Sequence, residues 1–341
     1  MRYNADMAWD ILGHDWAAQM LQQHITGGQM RHAYLFSGPT GVGRRTLALR
    51  FAQAVNCSQP PASGIPCGEC RTCKQIERMQ QPDLIIVQSE EKGEALKVDQ
   101  VRDLQRLLTL APYESAYRVA LLLRFDEATD GAQNALLKTL EEPNPSVLLL
   151  VTADDPENLL PTIVSRCELL RLRPMALDAL AGVLTEKNGL PEDQARLISH
   201  ITGGRPGAAF QLAADEEAQA QRKVWLDDLL VLLHGNRAAR IRYVQKKTEK
   251  RKRLEYKGEF REALTHWLSF WRDVMLVSAG SSAPLTNLDY RDEIETAAKV
   301  VDGASASNLT ARLEHSFARL NMANIPIMLD NLLLEWPFMG N

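Results

Sequence analysis

Ala33-Tyr34-Leu35-Phe36-Ser37-Gly38-Pro39-Thr40-Gly41-Val42-Gly43-Arg44-Arg45-Thr46 is the stretch that decides the fold. A short apolar run meets a glycine-rich turn, and the turn opens into a helical pattern from about Thr46 to Val55. Strand, glycine turn and helix is the layout of a phosphate-binding loop, where backbone N–H groups and a helix N-terminus cradle an anion. The spacing follows G-x-x-x-x-G-K-[ST] from Gly38 to Gly43 and then departs from it. Arg44 stands where a lysine ammonium would bridge two phosphates, and Arg45 stands where a hydroxyl would bind Mg²⁺. A planar guanidinium does not replace a compact ammonium, and a second cation repels the metal. Thr46 comes one residue late on the helix. Gly38, Gly41, Gly43, Arg44, Arg45 and Thr46 therefore read as a degenerate loop that keeps the fold, binds nucleotide weakly or not at all, and does not hydrolyse it.

Working outward, apolar runs at Leu84–Val87, Val119–Leu123 and Val147–Thr152, with a fifth candidate at Glu168–Leu172, alternate with helical patterns such as Val101, Leu104, Leu107, Leu108. Short Val-, Ile- and Leu-rich runs suit strands buried on both faces of a parallel sheet. This predicts an α/β domain over 1–173. After Pro174 the strand signals vanish. Residues 175–213 read as short helices, Ala214 to Lys223 as a solvated connector, and the rest as helices with Trp225, Trp267, Phe270 and Trp271 at core spacing. The expected division is 1–173, a small helical module at 174–213 and an all-helical module at 214–341.

Composition narrows the function. The 341 residues are 45% hydrophobic and 24% charged with a net charge of −4, a globular balance that argues against gripping DNA by bulk positive charge. No apolar run approaches the roughly 18 residues needed to span a bilayer. The start, MRYNADMAWDILGHD, lacks the features of a signal peptide, so a cytoplasmic protein is expected. The most basic stretch, Lys246-Lys247 to Lys250-Arg251-Lys252-Arg253, reads as a solvated helix face, with no aromatics interleaved for base stacking.

A working phosphate loop also needs acids at the end of the third strand. Asp126-Glu127 are the nearest, but Arg124 interrupts the apolar run before they arrive. The strand is expected to end at Leu123, and the two acids to start the next helix, where the helix dipole favours them. Four of the five cysteines cluster as C-x9-C-x2-C-x2-C: Cys57, Cys67, Cys70 and Cys73. Four thiolates suit tetrahedral Zn²⁺ with no open position, hence a structural zinc; the spacing fits Fe–S runs poorly. Cys167 reads as an ordinary buried residue.

His32-Ala33-Tyr34-Leu35-Phe36-Ser37-Gly38-Pro39, the four cysteines, Asn134-Ala135-Leu136-Leu137-Lys138-Thr139-Leu140-Glu141-Glu142-Pro143 and Ser165-Arg166-Cys167 occur in this order. Together they resemble the delta-prime branch of the bacterial DNA polymerase III clamp-loader subunits, in the AAA+ family. The resemblance covers residues 10 to about 210; beyond it only length and helical character agree.

It implies an AAA+ sheet domain, a helical lid and a helical collar that holds five subunits in a ring. It implies gamma/tau and delta subunits as partners, with the sliding clamp and primer-template DNA engaged through the complex. ATP is bound by the neighbours. The family pattern, counted from Asn134, puts the missing acidic pair at Leu123 and Arg124, and the polar sensor at Thr152. Gly203-Gly204-Arg205-Pro206-Gly207 covers the lid's sensor region, and Arg205 does not fall cleanly on its arginine. The arginine of the serine–arginine–cysteine motif, Arg166, is implied to act as a finger in a neighbour's ATP site. The NALLKTLEEP segment reads as an amphipathic helix with a proline stop. Two alternatives stand beside this reading: an active gamma/tau-type ATPase with an atypical loop, and a zinc-dependent nucleic-acid-binding protein.

Overall fold

The chain is described by a computed structural model over residues 9–89, 95–249, 253–320 and 322–340. It divides into two compact units. The first comprises Met1–Ala179 with Gly204–Ala208, and the second Leu180–Gly203 with Ala209–Asn341.

The first unit is built on five strands: β1 (Ala33–Ser37), β2 (Leu84–Val87), β3 (Arg118–Leu122), β4 (Val147–Ala153) and β5 (Glu168–Arg171). They pair in parallel in the order β2-β3-β4-β1-β5. Its helices are α1 (Asp15–Thr26), α2 (Arg44–Asn56), α3 (Arg71–Glu77), α4 (Val98–Leu108), α5 (Asp130–Glu141) and α6 (Pro161–Val164). Successive strand residues point to opposite faces. Thus Tyr34 and Phe36 pack with Leu121 and Leu150 against Leu47 and Phe51 of α2. Ala33 and Leu35 pack with Leu122 and Val151 against Leu104 of α4 and Leu136 and Leu140 of α5. With helices on both faces, the strands are apolar on both, as their sequence reads.

β3 ends at Leu122, and the Leu123 N–H makes one further ladder bond to Val87 O at 2.8 Å. Asp126 and Glu127 do not start the next α-helix. They sit in a single 3-10 turn, Phe125–Glu127, and α5 begins at Asp130. Thr129 decides that start, because its hydroxyl accepts the Ala132 N–H at 3.3 Å. Arg124, at φ +50°, turns the chain before the acids arrive.

A buried carboxylate fixes the entry to β3. Asp83 is fully buried and accepts the N–H groups of Tyr113 (2.6 Å), Glu114 (2.9 Å) and Ser115 (3.0 Å), with the Arg118 guanidinium at 3.3 Å. Burial alone would raise its pKa, but the three N–H donors and Arg118 outweigh it and hold the carboxyl below the usual range. Its stabilising contribution is therefore fully present above the unfolded-state value of about 4 and is lost as pH falls through the lower folded value. Asp83→Asn is expected to cost about 3–5 kcal/mol in denaturant unfolding, because it strands the buried Arg118 and turns an amide donor toward N–H groups. A loss below about 1 kcal/mol would show that the clamp is dispensable.

The second unit is built of helices, with no strand among its described residues. Residues 175–214, divided between the two units, contain α7 (Leu177–Asn188), α8 (Glu192–Ile201) and α9 (Pro206–Ala214). The expected connector at Ala214–Lys223 is instead mostly the start of α10 (Glu216–His234). Asp215 caps that helix by accepting the Ala218 N–H at 2.8 Å. Arg222, inside the polar stretch, is buried against Asp289 at 2.7 Å and Asn287 at 2.7 Å, so the charge marks a packed face.

The chain continues through α11 (Arg237–Thr248), α12 (Arg253–Ser278), α13 (Arg291–Val300), α14 (Gly303–Arg319) and α15 (Ile325–Leu334). Trp267 meets Trp336 edge-to-face at 5.2 Å in the aromatic core. Buried Arg240 donates to the carbonyls of Leu232, Leu333, Trp336 and Pro337 at 2.7–2.9 Å, satisfying the ends of α10 and α15. Within the basic run, Lys247 is not a simple solvated charge. It pairs with Asp228 at 3.3 Å and lies over the Trp225 ring at 4.6 Å. Lys250-Arg251-Lys252 fall outside the described residues. No helix among the described residues is long and apolar enough to cross a membrane.

Candidate functional site

The glycine turn follows β1 at the carboxyl edge of the sheet, where open α/β sheets bind ligands. Its shape needs glycine at three points, Gly43 at φ +114° among them. Gly38 has φ +142°, and an added Cβ would collide with the Leu172 carbonyl. Gly41 has φ +86°, and a Cβ would fall 2.9 Å from that of Ala208. Gly207 N–H donates to Gly41 O at 2.8 Å, and half-buried Arg205 donates to Thr40 O at 3.2 Å. Arg205 thus reaches the loop through its backbone. Burial lowers the Arg205 pKa, while the charge of Asp154 acts to raise it.

Arg44 does not reach outward. It is 7% exposed, donates to Thr40 Oγ1 at 3.3 Å, and its guanidinium pairs with Asp154. Thr40 Oγ1 in turn donates to Asp154 Oδ2 at 3.0 Å. Two arginines and no acid occupy the first turn of α2, opposite to what the helix dipole favours. That placement costs on the order of 0.3–1 kcal/mol per charge at an exposed end. Asp154 offsets part of it by pairing with Arg44. Arg45 and Thr46 are exposed.

At the end of β3, Leu123 is buried and Arg124 turns away toward β2. Arg124 donates to Ser89 Oγ at 3.1 Å and pairs with Glu127 at 3.6 Å. Asp126 accepts the Asp154 N–H at 2.9 Å. Among the described residues, neither acid has a hydrogen bond or ion pair to Gly38–Thr46. Thr152 Oγ1 accepts the Arg124 N–H at 2.8 Å, so Thr152 braces the β3 turn.

Arg166 lies just past α6, about a third exposed. Its Nη2 pairs with Glu141 at 2.9 Å and its Nη1 donates to Thr162 O at 3.0 Å.

The four cysteines converge where α2 ends and α3 begins. Cys57 caps the C-terminus of α2, Cys70 caps the N-terminus of α3, and Cys73 lies inside α3. Cys57 Sγ is 3.4 Å from Cys67 Sγ and 3.9 Å from Cys70 Sγ, Cys67 and Cys73 are 4.0 Å apart, and all four sulfurs lie within 4.8 Å of one another. A tetrahedral ion with bonds of about 2.3 Å separates its sulfurs by about 3.8 Å, so the thiols fit a metal ion without an open position. Backbone N–H groups of Cys67, Cys70 and Cys73 donate to the sulfurs of Cys57, Cys67 and Cys70 at 3.3–3.4 Å, the support expected around thiolate ligands. α2 is thirteen residues long, about 20 Å, and separates this centre from the glycine loop. Cys167 takes no part; burial pushes its thiol up to about 12.

The structure gathers the four predicted thiols into one cluster and holds the predicted glycine loop as one turn at the other end of α2, while Arg166 bonds to residues of neither. Asp154 and Glu141 are the residues that sequence reasoning missed. Asp154 carries a faint signal, an acid just beyond the fourth apolar run. Glu141 carries none beyond its place in the NALLKTLEEP helix.

The profile of the family described as "DNA polymerase III, delta subunit" matches residues 13–176. DNA polymerase III subunit delta' of Bacillus subtilis (strain 168) is 30% identical over 93% of this chain and 94% of its own length. Its Pseudomonas aeruginosa counterpart is 35% identical over 58% of this chain and 60% of its own length. DNA polymerase III subunit tau of Bacillus subtilis is 34% identical over 60% of this chain but 36% of its own length.

Proposed function

The chain belongs to the delta-prime family of bacterial DNA polymerase III subunits, clamp-loader components of AAA+ type, and from that premise we propose that it is a cytoplasmic loader subunit without ATPase activity of its own. In this reading it assembles with gamma/tau and delta subunits and helps load the sliding clamp onto primed DNA. It contributes Arg166 to a neighbour's ATP site, where a cation stabilises charge developing on the transferred phosphoryl group. Its partial exposure beyond α6 supports that role. The metal of the four-cysteine centre is zinc, structural in effect, and 1–173, 174–213 and 214–341 serve as sheet, lid and collar modules.

One observation carries the non-catalytic reading. The position of the phosphate-bridging lysine holds Arg44, tied inward to Asp154 and Thr40, and no acid follows β3 directly. Neither the cation for the phosphates nor a ligand set for Mg²⁺ is in place.

The test uses purified protein. ATP binding with and without Mg²⁺ is expected to be weak or undetectable, and turnover absent. Restoring the loop chemistry in the double variant Arg44→Lys, Arg45→Thr is expected to leave turnover absent, because Leu123 and Arg124 still cannot hold the metal. Robust hydrolysis by the wild-type chain would establish the gamma/tau-type alternative. Hydrolysis by the double variant alone would show that Asp126 or Glu127 can serve.

A further inference from the structure

The NALLKTLEEP helix has a feature that core packing does not explain. Leu136 and Leu140 of α5 are buried against the sheet, yet Glu141, its last residue, is exposed at the rim and paired with Arg166. We propose that Glu141 is a positioning residue for Arg166, holding its guanidinium in the orientation presented to a neighbouring subunit's ATP. This rests on the reading of Arg166 as a finger acting in trans.

The main chain around Arg166 is already held. Buried Gln133 of α5 accepts the Leu160 N–H at 2.8 Å and donates to Asn158 O at 3.4 Å, fixing the approach to α6. Ile163 is fully buried, the Arg166 N–H bonds Ile163 O at 3.1 Å, and β5 starts two residues later. What remains free is a long side chain, and two contacts restrain it: the Thr162 carbonyl on Nη1 and the Glu141 carboxylate on Nη2. Each takes one N–H of a fork that carries five, so N–H groups remain for a phosphate oxygen. α5 therefore grips the α6 segment twice, through Gln133 near its start and Glu141 at its end.

A finger must place its charge where the transition state develops it, and a misplacement of about 1 Å can cost about 100-fold in rate. In a reconstituted loader carrying the variant in this subunit alone, Glu141→Ala is expected to slow hydrolysis at the served site by about 10- to 100-fold. The KM for ATP should be unchanged, since the neighbour binds the nucleotide. Glu141→Gln should fall between, because its amide oxygen still accepts from Nη2. Single-turnover hydrolysis resolves the slowed site as a separate phase.

The double variant Glu141→Ala, Arg166→Ala should be no slower than Arg166→Ala alone, a non-additivity that a structural role for Glu141 would not produce. Unchanged melting and metal content would show that the variant is folded. A Glu141→Ala rate equal to or above wild type, with Arg166→Ala strongly impaired, overturns the positioning role. If Arg166→Ala is itself at the wild-type rate, the finger reading fails and the positioning role fails with it.

Discussion

A loader assembled with Arg166→Ala in this subunit alone is expected to lose DNA- and clamp-stimulated hydrolysis at one ATP site and to load clamps more slowly. Arginine fingers contribute roughly 10³ to 10⁵ in rate at the site they serve. Total turnover should fall by much less, because the other sites keep their own fingers. The variant should still fold, hold its metal and assemble. Within the chain the substitution removes a partly exposed ion pair with Glu141, and such pairs contribute about 0–1 kcal/mol. Arg166→Lys should rescue poorly: an ammonium can neutralise charge, but it cannot engage Thr162 O and Glu141 while presenting a planar fork outward. Hydrolysis and loading rates of the reconstituted complex decide the matter, and wild-type rates would leave Arg166 a structural residue.

The second large effect concerns the four-cysteine centre. Wild-type protein is expected to carry one tightly held zinc per chain, and Cys70→Ser to lose most of it. Structural zinc contributes on the order of 10–16 kcal/mol of apparent binding free energy in small zinc modules, which there is also folding free energy. The segment from Ser58 to Cys70 has little else to hold it. Ser58 to Ser63 are all exposed, and the firm anchor of the segment to the rest of the unit is the Trp9 indole N–H on Gly64 O at 2.9 Å. Without metal, hydrogen exchange should rise sharply over residues 57–73 while β1, β3 and β4 stay protected, since their core is built on other contacts. Cys70 also caps α3, accepting the Cys73 N–H, so the start of that helix should fray as well. Metal analysis reads the first part. Zinc-free wild-type protein, or a Cys70→Ser variant with undiminished metal, would refute the four-thiolate site.

How much of this was legible beforehand depends on the range of the interaction involved. The five strands were readable from runs of four to six residues, because burial on both faces demands apolar side chains in succession, and α2 from the helical pattern that follows the glycine turn. The start of α10 was not. Its first turns carry Glu216, Glu217 and Arg222, which read as a solvated connector until Asp289 and Asn287, more than sixty positions away, are seen to bury Arg222.

The candidate sites divide in the same way. Sequence by itself determined the glycine loop, its missing lysine and hydroxyl, and the four thiols, since each is a pattern within seventeen consecutive positions whose chemistry follows from residue type and spacing. Only the tertiary structure decided what Arg44 pairs with and what holds Arg166. β1 and β4 pair in parallel with Ser37 opposite Ala153, so the residues that follow, Gly38 and Asp154, emerge side by side. Asp154 thereby reaches Arg44 across more than a hundred positions. Glu141 meets Arg166 because α5 and α6 pack in one cluster, with Gln133 bonded to the approach to α6. An ion pair between distant residues leaves no periodic trace in either segment; the register of the sheet and the packing of the helices bring the charges together.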